Sequence, residues 1–298
     1  IWQKVYSPKN TARHLSVDHD YLLLYARSAE TWEPQLLSKT ESMIARYRNP
    51  DDDPRGDWKP GDLSARNYYS EGTYPIDCPG GRTLDGPPPG MYWRFSRRRL
   101  AELDADGRIW WGEDGNNVPA VKRFLSEVKA GRTPQTLWPY AEVGLTQDAK
   151  KQLLRLVDFD SSDSVFDTPK PVQLMRRLLD LATSPHGGDL VLDFFAGSGT
   201  MGEAVLRQNA EDGGDRRFIL SQLPEMLDDA SHPTIAHVSR ARVTAAASEV
   251  ATTLSASVPP GFRSYRLAAS AWSRPAPADD QQLLLSDAQP AADRSDDA

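Results

Sequence analysis

The stretch LVLDFFAGSGTMGEAV, Leu190 to Val205, decides the fold. Its first six residues are a short apolar run with branched and aromatic side chains, the pattern of a buried strand. Gly197-Ser198-Gly199 then lets the backbone turn sharply and approach a neighbour closely, and Thr200–Asn209 reads as a helix. A helix that opens directly after such a turn offers unpaired N–H groups and a positive dipole end. An anionic group, carboxylate or phosphate, is favoured at that place.

The flanks repeat the alternation. Upstream, Thr168-Pro169-Lys170-Pro171 opens a helix whose apolar residues Val172, Met175, Leu178, Leu179 and Ala182 share one face. Downstream come a turn at Asp212-Gly213-Gly214, a strand over Arg217–Leu223, an Ala-rich helix over Thr234–Val250 and a short alternating strand over Phe262–Leu267. Strands alternating with helices predict an α/β fold with a parallel, doubly wound sheet.

Three ligands compete for the turn. No Lys-Ser/Thr pair follows the glycines, so a nucleotide-triphosphate loop is excluded. Gly197, Gly199 and Gly202 match the dinucleotide pattern G-x-G-x-x-G, but the next strand ends Ser221-Gln222-Leu223 without the acid that would hold the ribose. S-adenosylmethionine fits better. Asp193 can pair with its ammonium, the turn and helix N-terminus with its carboxylate, and Gln222 or Glu225 with its ribose. The plainer alternative is that the glycines serve only to pack helix against sheet.

Two motifs, Phe166-Asp167-Thr168-Pro169-Lys170-Pro171 and Asp193-Phe194-Phe195-Ala196-Gly197-Ser198-Gly199-Thr200, resemble the cofactor motifs of the permuted DNA amino-methyltransferases. Further stretches, Gly107–Gly144, Arg216–Glu225, Thr234–Val243 and Gly261–Leu267, are similar to the modification subunits of type III restriction–modification systems. The resemblance implies a Rossmann-like methyltransferase sheet with an inserted target-recognition region. It implies that Phe166, Thr168, Lys170, Asp193, Phe194, Phe195, Ala196, Gly197, Ser198, Gly199, Thr200, Gln222 and Glu225 hold S-adenosylmethionine. The reaction implied is methyl transfer to adenine N6 in duplex DNA, with the base flipped out of the stack; the N4-cytosine reaction uses similar motifs. Homodimerisation and an ATP-dependent helicase-nuclease partner are further implications.

The family's base-holding motif, D/N/S-P-P-Y/F/W, does not occur in the sequence. Asp85-Gly86-Pro87-Pro88 and Val258-Pro259-Pro260-Gly261 contain Pro-Pro without its flanking residues. In permuted members that motif precedes the recognition region. Ile1–Arg27, with the strand candidate Asp20–Arg27, reads as the strands that follow it, so an N-terminal part is expected to be missing. No catalytic residue is assigned, and the chain alone is expected not to transfer methyl groups. A non-catalytic DNA-recognition or assembly module is the competing reading, and a dinucleotide oxidoreductase is the third.

These assignments divide the chain into 1–28, the end of a catalytic part; 29–160, target recognition; 161–272, cofactor binding; and 273–298, an acidic tail expected to be disordered. The recognition region is rich in Pro, Gly, Trp, Tyr and Arg, with a helix expected over Val118–Lys129 between Pro119 and Gly131. Arg94, Arg97, Arg98, Arg99 and Lys122 are its DNA-contact candidates, against the alternative of a solvated basic surface. Trp110-Trp111 reads as core, and Asp51-Asp52-Asp53 as a solvated loop rather than a metal site.

The formal net charge of −7 does not oppose a nucleic-acid partner, because −5 of it lies in Ala276–Ala298, where six Asp face only Arg294. The histidines at 14, 19, 186, 232 and 237 have no metal-ligand spacing. Cys78 is the lone cysteine, no apolar run reaches a membrane-spanning length, and no signal peptide is visible. A cytoplasmic protein is expected.

Overall fold

The computed structural model describes residues 1–8, 10–161, 166–253 and 260–267, and the strands Trp272–Ser273 and Gln289–Pro290, which pair with each other. The rest of the expected tail lies outside the described residues. The protein is a mixed α/β chain with several small sheets.

Leu190–Asp193 and Arg217–Leu220 pair in parallel, Leu190 opposite Arg217 and Asp193 opposite Leu220. Parallel neighbours need a long crossover, and the helix Thr200–Asp212 supplies it. Gly213 ends that helix in the left-handed conformation, φ 69°, where glycine carries no Cβ penalty. Helices Val172–Ala182 and Ile235–Thr253 pack on either side of it. Val191 and Phe218 turn toward this layer and pack with Val172, Leu179, Ala204 and Val205. Leu220 joins Leu206, Val243, Ala246 and Val250.

The sheet differs from the doubly wound expectation. Among the described residues, helices cover one face only, and Leu190, Leu192 and Ile219 on the other are exposed. The strand also stops at Asp193, leaving Phe194 and Phe195 exposed in the turn. Two further strand expectations shrink. Of Asp20–Arg27 only the start pairs, as His19–Asp20 with Trp2–Gln3, while Tyr21, Leu23, Leu24 and Tyr25 stay exposed. Phe262–Leu267 forms no strand. An apolar run becomes a strand only where a backbone edge and a packing face receive it, and these runs meet neither among the described residues.

In residues 29–160 the expected helix over Val118–Lys129 is corrected to a strand. Ala120–Phe124 pairs antiparallel with Trp58–Asp62 on one side and with Ile109–Trp110 on the other. Pro119 and Gly131 punctuate a strand as well as a helix, and the burial alternates, Lys122 and Phe124 in, Arg123 out. Leu63, Ile76, Trp93, Leu100, Leu103 and Ile109 form the core beside this sheet. Trp93 donates its indole N–H to the Tyr74 carbonyl at 2.8 Å. Trp110 and Trp111 are half-buried, the first against Trp58 and the second bonded to Asp104. The helices here are elsewhere, chiefly Arg97–Ala105 and Thr146–Leu156. Trp2 packs with Trp138, Val143 and Leu174, tying the first strand to the helix Val172–Ala182. No described helix is long and apolar enough to cross a membrane.

Candidate functional site

The turn after Leu190–Asp193 sits at the carboxyl ends of both parallel strands, the place where open α/β sheets bind ligands. Its backbone is tied on all sides. Ala196 N–H donates to the Ser221 carbonyl at 3.1 Å, Ser221 N–H to the Asp193 carbonyl at 2.8 Å, and Gly199 N–H to the Ala196 carbonyl at 2.8 Å. Asp193 Oδ1 accepts from Phe195 N–H at 3.2 Å. Gln222 Oε1 accepts from Gly197 N–H at 2.7 Å, so the end of one strand fastens the turn of the other. Glu225 is exposed on the following loop.

The three glycines have different reasons to be glycine. Gly199 has φ 78°, and a Cβ there would stand 2.8 Å from Ser239 Oγ and 2.9 Å from the Ser239 carbonyl oxygen. A Cβ at Gly202 would meet Leu220 and Val243 at 2.9 Å each. Those two positions follow the plain packing reading. Gly197, φ 52°, instead opens onto the Phe166 ring, which a Cβ would meet at 3.5 Å. Phe166 and Gly197, 31 positions apart in the sequence, thus bring the two sequence motifs together.

The helix Thr200–Asp212 begins at Gly199 with no side-chain cap, so its first N–H groups remain available as anion donors. The Ser198 and Thr200 hydroxyls do not serve them. Both turn inward and accept from Arg242 Nη1, at 2.9 and 2.7 Å. Arg242 Nε donates to Glu203 Oε2 at 2.6 Å, and Glu203 Oε1 accepts from Arg207 Nε at 2.8 Å. Burial pulls the Arg242 guanidinium below its ordinary range, and Glu203 opposes the pull. Sequence reasoning missed Arg242. The available signal was a charge on an apolar stripe, since Ile235, Val238, Arg242, Val243 and Ala246 fall at helical spacing.

In the first motif Pro169 is buried and Thr168 exposed. Lys170 Nζ lies 5.2 Å from the centre of the Trp2 ring and 3.8 Å from Asp20 Oδ2. Pro171 is the N-cap residue of the helix Val172–Ala182.

The DNA candidates separate. Ser96 caps the helix Arg97–Ala105, its hydroxyl accepting from Arg99 N–H at 3.3 Å. Arg97, Arg98 and Arg99 therefore crowd the positive end of a helix dipole, where cations are disfavoured. Arg98 and Arg99 are exposed and share Glu102. Arg97 is held by the protein, over the Tyr74 ring and bonded to the Pro75 carbonyl. Arg94 reaches the Ser64 carbonyl at 3.3 Å. Lys122 is corrected outright. Its side chain is 6 % exposed, and its ammonium is clamped by Asp51 and by Asp53 at 2.9 Å. Arg55 and Lys122 hold the Asp53 carboxyl well below the usual carboxylate range, the Arg55 hydrogen bond contributing most. The buried Asp53, with Asp51 beside it, is accordingly the counter-charge of Lys122 rather than part of a solvated loop. Among the described residues no group of three or more His, Cys, Asp or Glu is arranged to hold a metal ion.

A turn at the carboxyl ends of two parallel strands, followed by an uncapped helix N-terminus, is the arrangement of a ligand site in an open α/β sheet. The model of the DNA methylase family matches residues 1–222, and the chain belongs to that family. It is 32 % identical over 281 residues to the type III restriction-modification enzyme StyLTI Mod subunit of Salmonella typhimurium, covering 90 % of this chain and 40 % of the relative. It is 25 % identical to the type III EcoPI Mod subunit of Escherichia phage P1, over 70 % of this chain and 35 % of the relative. It is 27 % identical to the type II methyltransferase M.EcaI of Enterobacter cloacae, over 74 % and 44 %. The chain thus spans about two fifths of the length of these relatives.

Proposed function

We propose that the chain is the cofactor-binding and target-recognising portion of a site-specific DNA methyltransferase of a restriction–modification system. The observation that carries this reading is the meeting of Phe166 with Gly197 beside an uncapped helix N-terminus and the Asp193 carboxylate. These residues suit S-adenosylmethionine: donors for a carboxylate, an acid for an ammonium, and apolar rings of Phe166, Phe194 and Phe195 for an adenine. Bound there, the cofactor supplies a methyl group activated by a sulfonium.

The residues of this chain bind and orient. Asp193 pairs with the cofactor's ammonium, the amides at the start of Thr200–Asp212 take its carboxylate, and Glu225 accepts from its ribose. Gln222 acts by holding Gly197 in place. Arg98 and Arg99 supply phosphate contacts, because both are exposed at the positive end of a helix and share the single carboxylate of Glu102, so a phosphate would offset the remaining charge. The acceptor is adenine N6 in duplex DNA. The resemblance carried by the stretches beyond the two motifs supports that choice, whereas the DNA methylase family model leaves cytosine N4 as the other possible product of the assay. With no D/N/S-P-P-Y/F/W motif in the sequence, the chain binds both ligands without transferring the methyl group. A sheet of Rossmann-like methyltransferase type, pairing between copies of the subunit, a restriction-subunit partner and a cytoplasmic setting complete the reading.

Calorimetric titration with S-adenosylmethionine tests it. Saturable binding to the chain is expected, and Asp193→Ala weakens it about tenfold by removing a charge-assisted bond. Equal affinity for the two would remove Asp193 from the site.

A further inference from the structure

We infer that Arg242 is a positioning residue for the cofactor turn: it acts on the ligand through Ser198 and Thr200, which it holds in place from the helix Ile235–Thr253. The inference rests on the cofactor reading for its ligand, and on geometry alone for its effect on the turn.

Three features support it. First, the guanidinium reaches the turn from 42 positions away in sequence and spans it, one Nη1 bonding both the residue before Gly199 and the residue after it. Gly199 itself lies against Ser239, one helical turn before Arg242, so the same helix grips the turn at two points. Second, the arrangement is sealed. Arg242 is 0 % and Glu203 1 % exposed, and Ser198 and Thr200 are buried beside them. The two hydroxyls therefore cannot turn to a ligand without breaking bonds to a buried charge. What faces the ligand is the backbone of Gly197–Thr200, fixed by side chains pointing the other way.

Third, the arrangement is poor as a stabilising device. Arg242 Nη2 is buried without a hydrogen-bond partner, and a buried ion pair is often no better than an apolar pair of the same volume. Arg242 lies on a stripe with Val238, Val243 and Ala246, where a methionine would fill the space without an orphaned donor. What methionine could not do is hold two hydroxyls and a carboxylate in one plane, which is the property of the guanidinium fork. Arg207, which bridges Glu203 to Glu249 at the rim, touches neither hydroxyl and provides the control.

The test compares the full chain with Arg242→Met, Arg242→Lys, the double variant Ser198→Ala/Thr200→Val, the triple variant combining it with Arg242→Met, and Arg207→Met. Amide hydrogen exchange reads the turn without ligand, and calorimetry reads affinity for S-adenosylmethionine. The Arg242 variants and the double variant should each speed exchange of the turn amides, and raise the dissociation constant, by about tenfold. Exchange across Val172–Ala182 and Ala120–Phe124 should not change, and Arg207→Met should leave the turn protected. The triple variant should be no worse than the double, as residues acting as one unit are not additive. If Arg242→Met fails to fold, the Lys and double variants carry the same comparison. Wild-type exchange in the turn of a folded Arg242 variant, or full additivity in the triple, overturns the inference. Loosened turns in a chain that does not bind S-adenosylmethionine would uphold Arg242 as the clamp and defeat the cofactor reading. Binding of S-adenosylmethionine with unchanged affinity in every variant would overturn the inference that Arg242 acts on the ligand and leave the cofactor reading standing.

Discussion

Leu63, Ile76, Trp93, Leu100, Leu103 and Ile109 close on one another in the proposed recognition region, with Trp93 only 1 % exposed at their centre. In the proposed cofactor half, Val191, Phe218 and Leu220 are packed under helices while Leu190, Leu192 and Ile219, on the same two strands, face outward, Leu192 59 % exposed. The first region covers its apolar side chains with short hairpins and one helix. The second packs helices on one face of its sheet and, among the described residues, leaves the other open. The turn that carries the candidate cofactor contacts draws its fixation from the covered side through Ser239 and Arg242, and from just beyond the neighbouring strand's end through Gln222. The two regions should therefore fail separately.

Trp93→Ala is the strongest way to break that separation. Deleting the indole opens a cavity and orphans the Tyr74 carbonyl, at a cost of about 3–5 kcal/mol. Denaturant unfolding followed by hydrogen exchange should show Trp58–Asp62 and Ala120–Phe124 losing protection first. Affinity for S-adenosylmethionine should stay within about twofold, as expected for independent sites. Its loss would show that the cofactor turn depends on the recognition core.

Lys122→Met comes next. It keeps the apolar stem over Trp58 but leaves Asp51 and Asp53 facing each other without their shared cation, for about 3 kcal/mol. The Asp53 carboxyl is depressed below its unfolded value. Its contribution is therefore present above that value and lost as pH falls toward the folded one. The gap between wild type and variant should accordingly narrow on acidification. The salt dependence of DNA binding should not move, which separates Lys122 from the arginines. Arg98→Glu/Arg99→Glu should instead lower the logarithmic salt slope by about one for each phosphate no longer neutralised, with little effect on the melting temperature. An unchanged slope would place the helix Arg97–Ala105 off the DNA.

The same contrast explains what could be read from the sequence. The strand, turn and helix of Leu190–Asp212 were legible because local pattern and tertiary setting agree there: an apolar run, glycines at positive φ, and helical spacing. Ala120–Phe124 was not, because its inward Lys122 looks like a surface residue until Asp51 and Asp53, some 70 positions earlier, are seen beneath it. Arg242 was hidden for the same reason: its partners Ser198, Thr200 and Glu203 lie on another helix and its preceding turn. Apolar runs such as Tyr21–Tyr25 mislead in the opposite direction. Composition announces a strand, but pairing is a property of the neighbour, and the neighbour is not written in the run itself.

The smallest expected effect gives the sharpest form of the comparison. Leu192 and Val191 are adjacent in one strand and point to opposite faces, as pleating requires. Leu192→Lys places a charge on the open face, where it meets water, and should change the stability of this chain by less than about 0.5 kcal/mol. Val191→Lys puts the same charge among Val172, Leu179 and Val205 and should unfold the cofactor half. Cofactor affinity follows the packed face, so Leu192→Lys should bind S-adenosylmethionine like the wild type. A marked loss of stability or binding in Leu192→Lys would mean that the outer face is covered in solution, and the contrast between the two regions would disappear.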